Sequence, residues 1–267
     1  MLPSAFTDRQ AVRPAPHWPA MTAFFLARPR VARLPQYGAA AIEFAVAATA
    51  VLLVGLLTAE AARWQGVRQI AHLALMEGAR AGATSHGDPA RIRSAFLQAL
   101  LPLHADARGQ AGARQNQSRQ LERLAALVGG SPWRIEILQP DAQAFRDHAR
   151  PGLDTAAPRG LRAIDHNYQD LQQARRPLPE QRDIFRANTL KLRLTYLYQP
   201  MLPPLRVLLA ALSEPDGSYA AAARARGLAP IGMELEMEMQ SHPVDWAAGK
   251  PYPAGMVAGA CRSLRCP

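Results

Sequence analysis

One long apolar stretch near the N-terminus constrains this chain more than any other feature. Residues 39–62 read AAAIEFAVAATAVLLVGLLTAEAA, with only two charged side chains, Glu43 and Glu60. A helix of this length reaches about 36 Å, which exceeds the roughly 30 Å of a bilayer's hydrocarbon core. The stretch therefore predicts one transmembrane helix, and a buried helix of a soluble protein is the weaker alternative.

The residues before this stretch predict its orientation. Positions 1–38 contain the single acid Asp8 and five arginines: Arg9, Arg13, Arg28, Arg30 and Arg33. Basic residues that flank a membrane span stay in the cytoplasm. We therefore expect a cytoplasmic N-terminus and translocation of everything after about Ala62.

Glu43 is unusual because a carboxylate inside an apolar span costs a few kcal/mol to insert and marks a functional position by default. Cleavage after Gly38 would make Ala39 the first residue and place Glu43 at the fifth position. A basic leader, this glycine and this glutamate resemble the class III signal of type IV pilins. The AAAIEFA run, with Glu77-Gly78-Ala79-Arg80-Ala81 further on, resembles the TadE-like family of the tight-adherence pilus system.

This resemblance implies that an aspartyl prepilin peptidase cuts between Gly38 and Ala39. It also implies that Glu43, beside Phe44, is the membrane acid that meets the new N-terminal amine when subunits pack. The pairing lies either within one chain or between neighbours. The expected partners are other pilin-like subunits, Tad assembly proteins, the peptidase and the lipid bilayer, with no cofactor. The expected location is the bacterial inner membrane, with a periplasmic C-terminal domain and association with a pilus.

Two alternatives concern processing. The sequence Ala59-Glu60-Ala61 has the small-x-small form that signal peptidase cuts, which would release a soluble periplasmic protein. The second alternative is an uncleaved signal anchor, in which the chain keeps its membrane span but is not cut. Met21 is an alternative start that would shorten the leader from 38 to 18 residues.

The remaining chain predicts an α+β fold, in which the long N-terminal helix continues into a small periplasmic domain with a short antiparallel sheet and helical insertions. We expect a cleaved leader at 1–38, a membrane helix at 39–62 and its continuation at 63–83. The remaining domain, 84–267, contains a polar excursion at 139–186. Asp88-Pro89 predicts the start of a helix that ends near Leu101. Further helices are expected at 119–128 and near 160–176, and the segment 201–212 is expected to be a core helix, with a helix on the bilayer surface as the alternative.

Alternating residues predict three strands, at 133–137, 190–198 and 231–240. The second has Lys191 and Arg193 on its polar face, whereas the third has Glu234, Glu236 and Glu238. Opposite charges on facing strands favour antiparallel neighbours. The three glutamates are interpreted as a solvated strand face and not as a metal site.

Other classes of function are not supported. The basic residues, 31 in number with a net charge of +10, are scattered and not clustered as in a nucleic-acid site. The histidines are also scattered, and neither HExxH nor GxSxG occurs, so no enzyme is predicted. Cys261 and Cys266 could close a small disulfide loop in an oxidising compartment, and two free thiols are the alternative.

The sequence therefore favours a structural minor pilin or pseudopilin of a Tad-type pilus or a related secretion machine. The alternative is a membrane-tethered or secreted periplasmic scaffold that binds other envelope proteins and is not incorporated into a filament.

Overall fold

The computed structural model describes residues 39–266, and its mixture of helices with one small sheet confirms the predicted α+β class. The helices of this part of the chain are α1 Ala39–Thr84, α2 Pro89–Ala99, α3 Gly109–Val128, α4 Ala142–His148, α5 Gln169–Arg175, α6 Ile184–Ala187, α7 Pro203–Ala211 and α8 Tyr219–Arg224. The strands are β1 Trp133–Gln139, β2 Thr189–Tyr198, β3 Ala229–Glu238 and β4 Met256–Ala258.

The described part of the chain divides between Ala50 and Val51 into two units. The described part of the first unit, residues 39–50, is helical throughout. The second unit contains the rest of α1 and every other element.

The C-terminal half of α1 forms one wall of the core of the second unit. Its buried positions recur every three or four residues, as one face of a helix requires, and all are fully buried: Ala71, Ala74, Leu75, Ala79 and Ala83. Four of these five side chains are alanine, which lets the helix lie close to the sheet. The helix ends at Thr84, so the predicted continuation to about Ala83 is confirmed.

The sheet has the order β3-β2-β1-β4. Lys191 lies opposite Glu236 and Arg193 opposite Glu234, and both pairs form ion pairs of 2.6 Å. The predicted antiparallel pairing of the basic and acidic strands is therefore confirmed. The other face of β2 is fully buried at Leu190, Leu192 and Leu194.

The fourth strand was not predicted. β4 pairs parallel with β1 over three residues, Met256–Ala258. Three residues are too few to show an alternating pattern, so the sequence carries no local sign of this strand.

Helix α2 begins at its predicted cap and α3 ends at the predicted residue, Val128, but the predicted start of α3 was wrong. Asp88 accepts a hydrogen bond of 2.8 Å from the amide of Ala90 and begins α2, and Gly129, with φ of 75°, ends α3. However, α3 starts ten residues earlier than expected. The Asp106 carboxylate accepts hydrogen bonds from the amide of Arg108 and the side chain of Asn116, both 2.8 Å, and so ties the first turns in place.

The polar excursion at 139–186 forms a small core from Phe145, Ile164 and Ile184, together with the adjoining Ala187. The helix expected near 160–176 is shorter and covers only α5. Its predicted first part is extended because Ile164 forms a bridge with Ala149.

The prediction of a core helix at 201–212 was wrong. No residue of α7 is buried. Val207 and Leu212 are each 70% exposed, so this apolar helix lies on the surface of the unit.

Candidate functional site

The first candidate site is the apolar surface of α1. Among the described residues, α1 is the one helix long and apolar enough to cross a membrane, and its most apolar stretch is not buried within the protein. Large apolar side chains are exposed on all sides of this stretch: Ile42, Phe44, Val46, Val51, Leu52, Leu53, Val54, Leu56 and Leu57. Exposing each such side chain to water costs about 1.5–3 kcal/mol relative to burial, so the surface is suited to contact with lipid or with other apolar helices.

The predicted assembly residues Glu43 and Phe44 lie near the start of this surface. Gly38 lies outside the described residues, and Ala39 is the first residue of α1. Glu43 is exposed, and Phe44 beside it is 75% exposed. The structure therefore leaves the carboxylate of Glu43 open to a partner.

The second acid of the apolar stretch, Glu60, connects α1 to the rest of its unit. Glu60 is 7% exposed, and its Oε1 accepts a hydrogen bond of 2.5 Å from the hydroxyl of Tyr198. Its Oε2 accepts from the backbone amides of Met201 at 2.9 Å and Leu202 at 3.2 Å. One carboxylate thus holds the end of β2 and the turn that leads into α7 against the end of the apolar stretch.

Tyr198 is the side chain through which the sheet meets this carboxylate. Burial and then the hydrogen bond to Glu60 raise the pKa of Tyr198 to about 12, so the hydroxyl remains a donor at neutral pH. The guanidinium of Arg63 lies 5.4 Å from the centre of the Tyr198 ring. Glu60, Tyr198 and Arg63 therefore form one polar junction between α1 and β2.

Two glycines beyond this junction set how closely α1 packs. A Cβ added to Gly82 would lie 2.7 Å from a side-chain carbon of Ile92 and 2.8 Å from one of Leu190. At Gly78 the nearest atom would be the backbone oxygen of Ile92, at 3.2 Å. Gly78 and Gly82 therefore allow α1 to lie against α2, and Gly82 also lets it lie against β2. The side chains of Glu77 and Arg80 form an exposed ion pair of 2.9 Å.

The family model described as TadE-like protein matches residues 38–80. Residues 38–80 are therefore similar to the TadE-like family, and we refer to them as the TadE-like segment. The match confirms the resemblance that was expected from the sequence. Comparison with curated proteins and with solved structures gave no match.

The TadE-like segment begins at Gly38 and includes the apolar surface with Glu43, the junction residues Glu60 and Arg63, and Gly78. The junction residue Tyr198 lies outside it. The TadE-like family is a structural or assembly component of the Tad pilus and is not known as an enzyme family, so the match implies a pilus-associated component. Gly82 and the sheet lie outside the matched residues.

A second polar centre lies outside the TadE-like segment, at Arg134 in β1. Arg134 is 6% exposed and its guanidinium donates hydrogen bonds to the backbone oxygens of Cys261, Ser263 and Leu264, at 3.1, 2.8 and 2.8 Å. The guanidinium also lies 4.1 Å from the centre of the Tyr219 ring. Burial lowers the pKa of Arg134 from its ordinary value.

The C-terminal loop covers this arginine. Cys261 and Cys266 are joined by a disulfide in the structure, and the loop that they close presents its carbonyl oxygens to Arg134. Within residues 39–266, no group of three or more His, Cys, Asp or Glu side chains is placed to hold a metal ion.

The sequence does not indicate that Glu60 and Arg134 are buried hydrogen-bonding centres. For Glu60 the local pattern shows only an acid near the end of an apolar run, within a possible signal-peptidase site. Arg134 occupies a polar position of an alternating strand, so the pattern gave no sign that a distant loop buries it.

Proposed function

We propose that this chain is a minor pilin or pseudopilin-like subunit of a Tad-type pilus or related secretion machine. In this proposal α1 anchors the chain in the bacterial inner membrane and packs beside the helices of other subunits. The observation that carries the proposal is the exposed apolar surface of a TadE-like segment with one open carboxylate, Glu43, inside it.

Processing after Gly38 would give Glu43 a natural counter-charge. A cut between Gly38 and Ala39 creates an ammonium group on Ala39, four residues before the glutamate. Residues four apart lie on one face of a helix, so the pair can form within one chain as well as between neighbours. In lipid such a pair penalises misaligned packing, because breaking a buried ion pair by removing one partner costs about 3–5 kcal/mol.

The Glu60 junction argues against release as a secreted protein. A cut after Ala61 would remove Glu60 and leave the buried hydroxyl of Tyr198 without its acceptor. We therefore propose that the span is retained, with the C-terminal domain on the periplasmic side.

The test is the substitution Glu43→Ala in the native host. Membrane insertion, measured by resistance to carbonate extraction, should be unchanged. Filament number, counted by electron microscopy, should fall about tenfold or more, since each 1.4 kcal/mol of lost pairing is a factor of ten.

Glu77→Ala is the matched control, because it removes an exposed carboxylate from the same helix beyond the apolar stretch. Normal filament numbers in the Glu43→Ala strain would refute the proposal. Recovery of the wild-type chain only with the inner membrane, and never with sheared filaments, would favour the tethered scaffold.

A further inference from the structure

The segment that contains α7 has an apolar surface that the protein itself does not cover. Its exposed fractions are 57% for Met201, 70% for Val207, 52% for Leu208 and 70% for Leu212. Between Gln199 and Ser213 the segment has a single charged residue, Arg206. Such a surface is typical of a helix that contacts another apolar phase.

Glu60 fixes where this segment lies along α1. The amides of Met201 and Leu202 donate to its carboxylate, so the start of α7 is level with Glu60. The exposed apolar residues Val51 to Leu57 end one turn earlier, which is a rise of about 4.5 Å along the helix. A bilayer that takes up Val51–Leu57 therefore has its surface at the level of α7.

The opposite end of β2 lies far from this level. Tyr198, the last residue of β2, bonds to Glu60, whereas Thr189, the first, bonds to the backbone oxygen of Phe185. Ten residues of strand separate the two ends by about 30 Å. Phe185 is 42% exposed and is thus an apolar surface residue well away from the proposed bilayer surface.

A basic cavity opens beside the start of α7. Its volume is about 840 Å³, and Arg63, Arg119, Arg123 and Arg206 line it together with Tyr198 and Met201, without any carboxylate. None of the four arginines forms an ion pair with another described residue. The buried Nε2 atom of His104, in the same lining, has no hydrogen-bond partner among the described residues.

We propose that α7 and this basic cavity form a second membrane contact, which binds anionic phospholipid. The side chains of Val207, Leu208 and Leu212 enter the boundary between headgroups and acyl chains, and the arginines bind lipid phosphate. Guanidinium groups match phosphate oxygens in geometry and charge, and each basic residue near an anionic surface strengthens binding about fivefold. The inference rests on the proposed membrane anchoring of α1.

The apolar half of the contact is tested on the full chain reconstituted into vesicles of phosphatidylcholine and phosphatidylglycerol. Leu208→Cys carries a fluorescent label, while the native cysteines are protected by their disulfide. Lipids with brominated acyl chains should quench this label several-fold more than a label at Phe185→Cys. Equal quenching at the two positions would overturn the inference. A Leu208 label that is shielded from both lipid and aqueous acrylamide would also overturn it, because such shielding indicates a protein neighbour.

A third label separates failure of this inference from failure of the proposed anchoring. Val54→Cys lies in the apolar stretch of α1, where Val54 is 65% exposed. Quenching by lipid at Val54 but not at Leu208 would overturn only the α7 contact. A lack of quenching at Val54 would overturn the anchor and this inference together.

The anionic half is tested with spin-labelled lipids and the double variant Arg119→Gln/Arg123→Gln, both on the exposed side of α3. The wild-type chain should immobilise phosphatidylglycerol in preference to phosphatidylcholine, the variant should lose most of that preference, and inorganic phosphate should not compete. The matched control is Arg159→Gln/Arg175→Gln, which removes two exposed arginines from the 139–186 segment. Equal preference in the wild-type chain and the cavity variant, or loss of preference in the control, would overturn the assignment.

Discussion

Replacing Glu60 by alanine should destabilise the second unit more than the loss of any exposed carboxylate. The substitution removes the acceptor of three donors: the hydroxyl of Tyr198 and the amides of Met201 and Leu202. A buried donor left without a partner costs about 1–3 kcal/mol. Tyr198 is 4% exposed and bears the full cost, whereas the amide of the exposed Met201 regains water. We expect a loss of about 3 kcal/mol in the free energy of unfolding.

The assay is urea unfolding of the full chain in a mild detergent, followed by tryptophan fluorescence. Trp64 lies one turn after Glu60 and packs against the core, so it reports on the junction. With a urea m value of about 2 kcal/mol/M, a loss of 3 kcal/mol lowers the unfolding midpoint by roughly 1.5 M. Glu77→Ala is the control and should change the free energy of unfolding by no more than about 0.5 kcal/mol, because its ion pair is exposed.

A double-mutant cycle with Tyr198→Phe isolates the bond between the two side chains. We expect a coupling energy of about 1.5 kcal/mol or more, as for a hydrogen bond to a charged acceptor. A Glu60→Ala protein that unfolds at the same urea concentration as Glu77→Ala would refute the junction, and so would a coupling energy near zero.

Three further predictions follow from the packing and the buried tyrosines. In urea unfolding, Gly82→Ala should lower the free energy of unfolding by about 1–3 kcal/mol, because the added methyl group overpacks the core. The control Gly66→Ala has open space around it and should raise the free energy of unfolding by up to about 1 kcal/mol. Arg134→Lys should cost about 2 kcal/mol and speed proteolysis of the C-terminal loop, since an ammonium group cannot reproduce the planar contacts to three carbonyl oxygens; unchanged cleavage would contradict this. Burial raises the pKa of Tyr196 and Tyr198 to about 12, above the ordinary value of 10.0, so the stability that these tyrosines contribute is complete below pH 10 and is lost as the pH rises towards 12. Absorbance at the phenolate band should show that some tyrosines titrate late, and titration of all tyrosines near pH 10 would contradict this prediction.

The sequence carried enough information for the elements whose patterns are local. The apolar run predicted α1, and the predicted end at residue 83 lies one residue from the observed end at Thr84, because an apolar pattern repeats along one helix. The facing charges of Lys191 and Glu236 predicted strand pairing, because the two faces of a strand alternate strictly.

What the sequence did not predict depends on contacts between distant residues. Glu60 and Tyr198 are 138 positions apart, so nothing beside the glutamate shows that its partner is a strand end. Arg134 is buried by a loop 127 or more positions away. The apolar composition of α7 is the same for a core helix and a surface helix, and only its place beside Glu60 distinguishes them.

The N-terminal sequence and intact mass of the protein from its native membrane test whether this chain is a processed pilin-like subunit. We expect a chain that begins at Ala39. A chain that begins at Ala62, or one that retains Met1 or Met21, would contradict it.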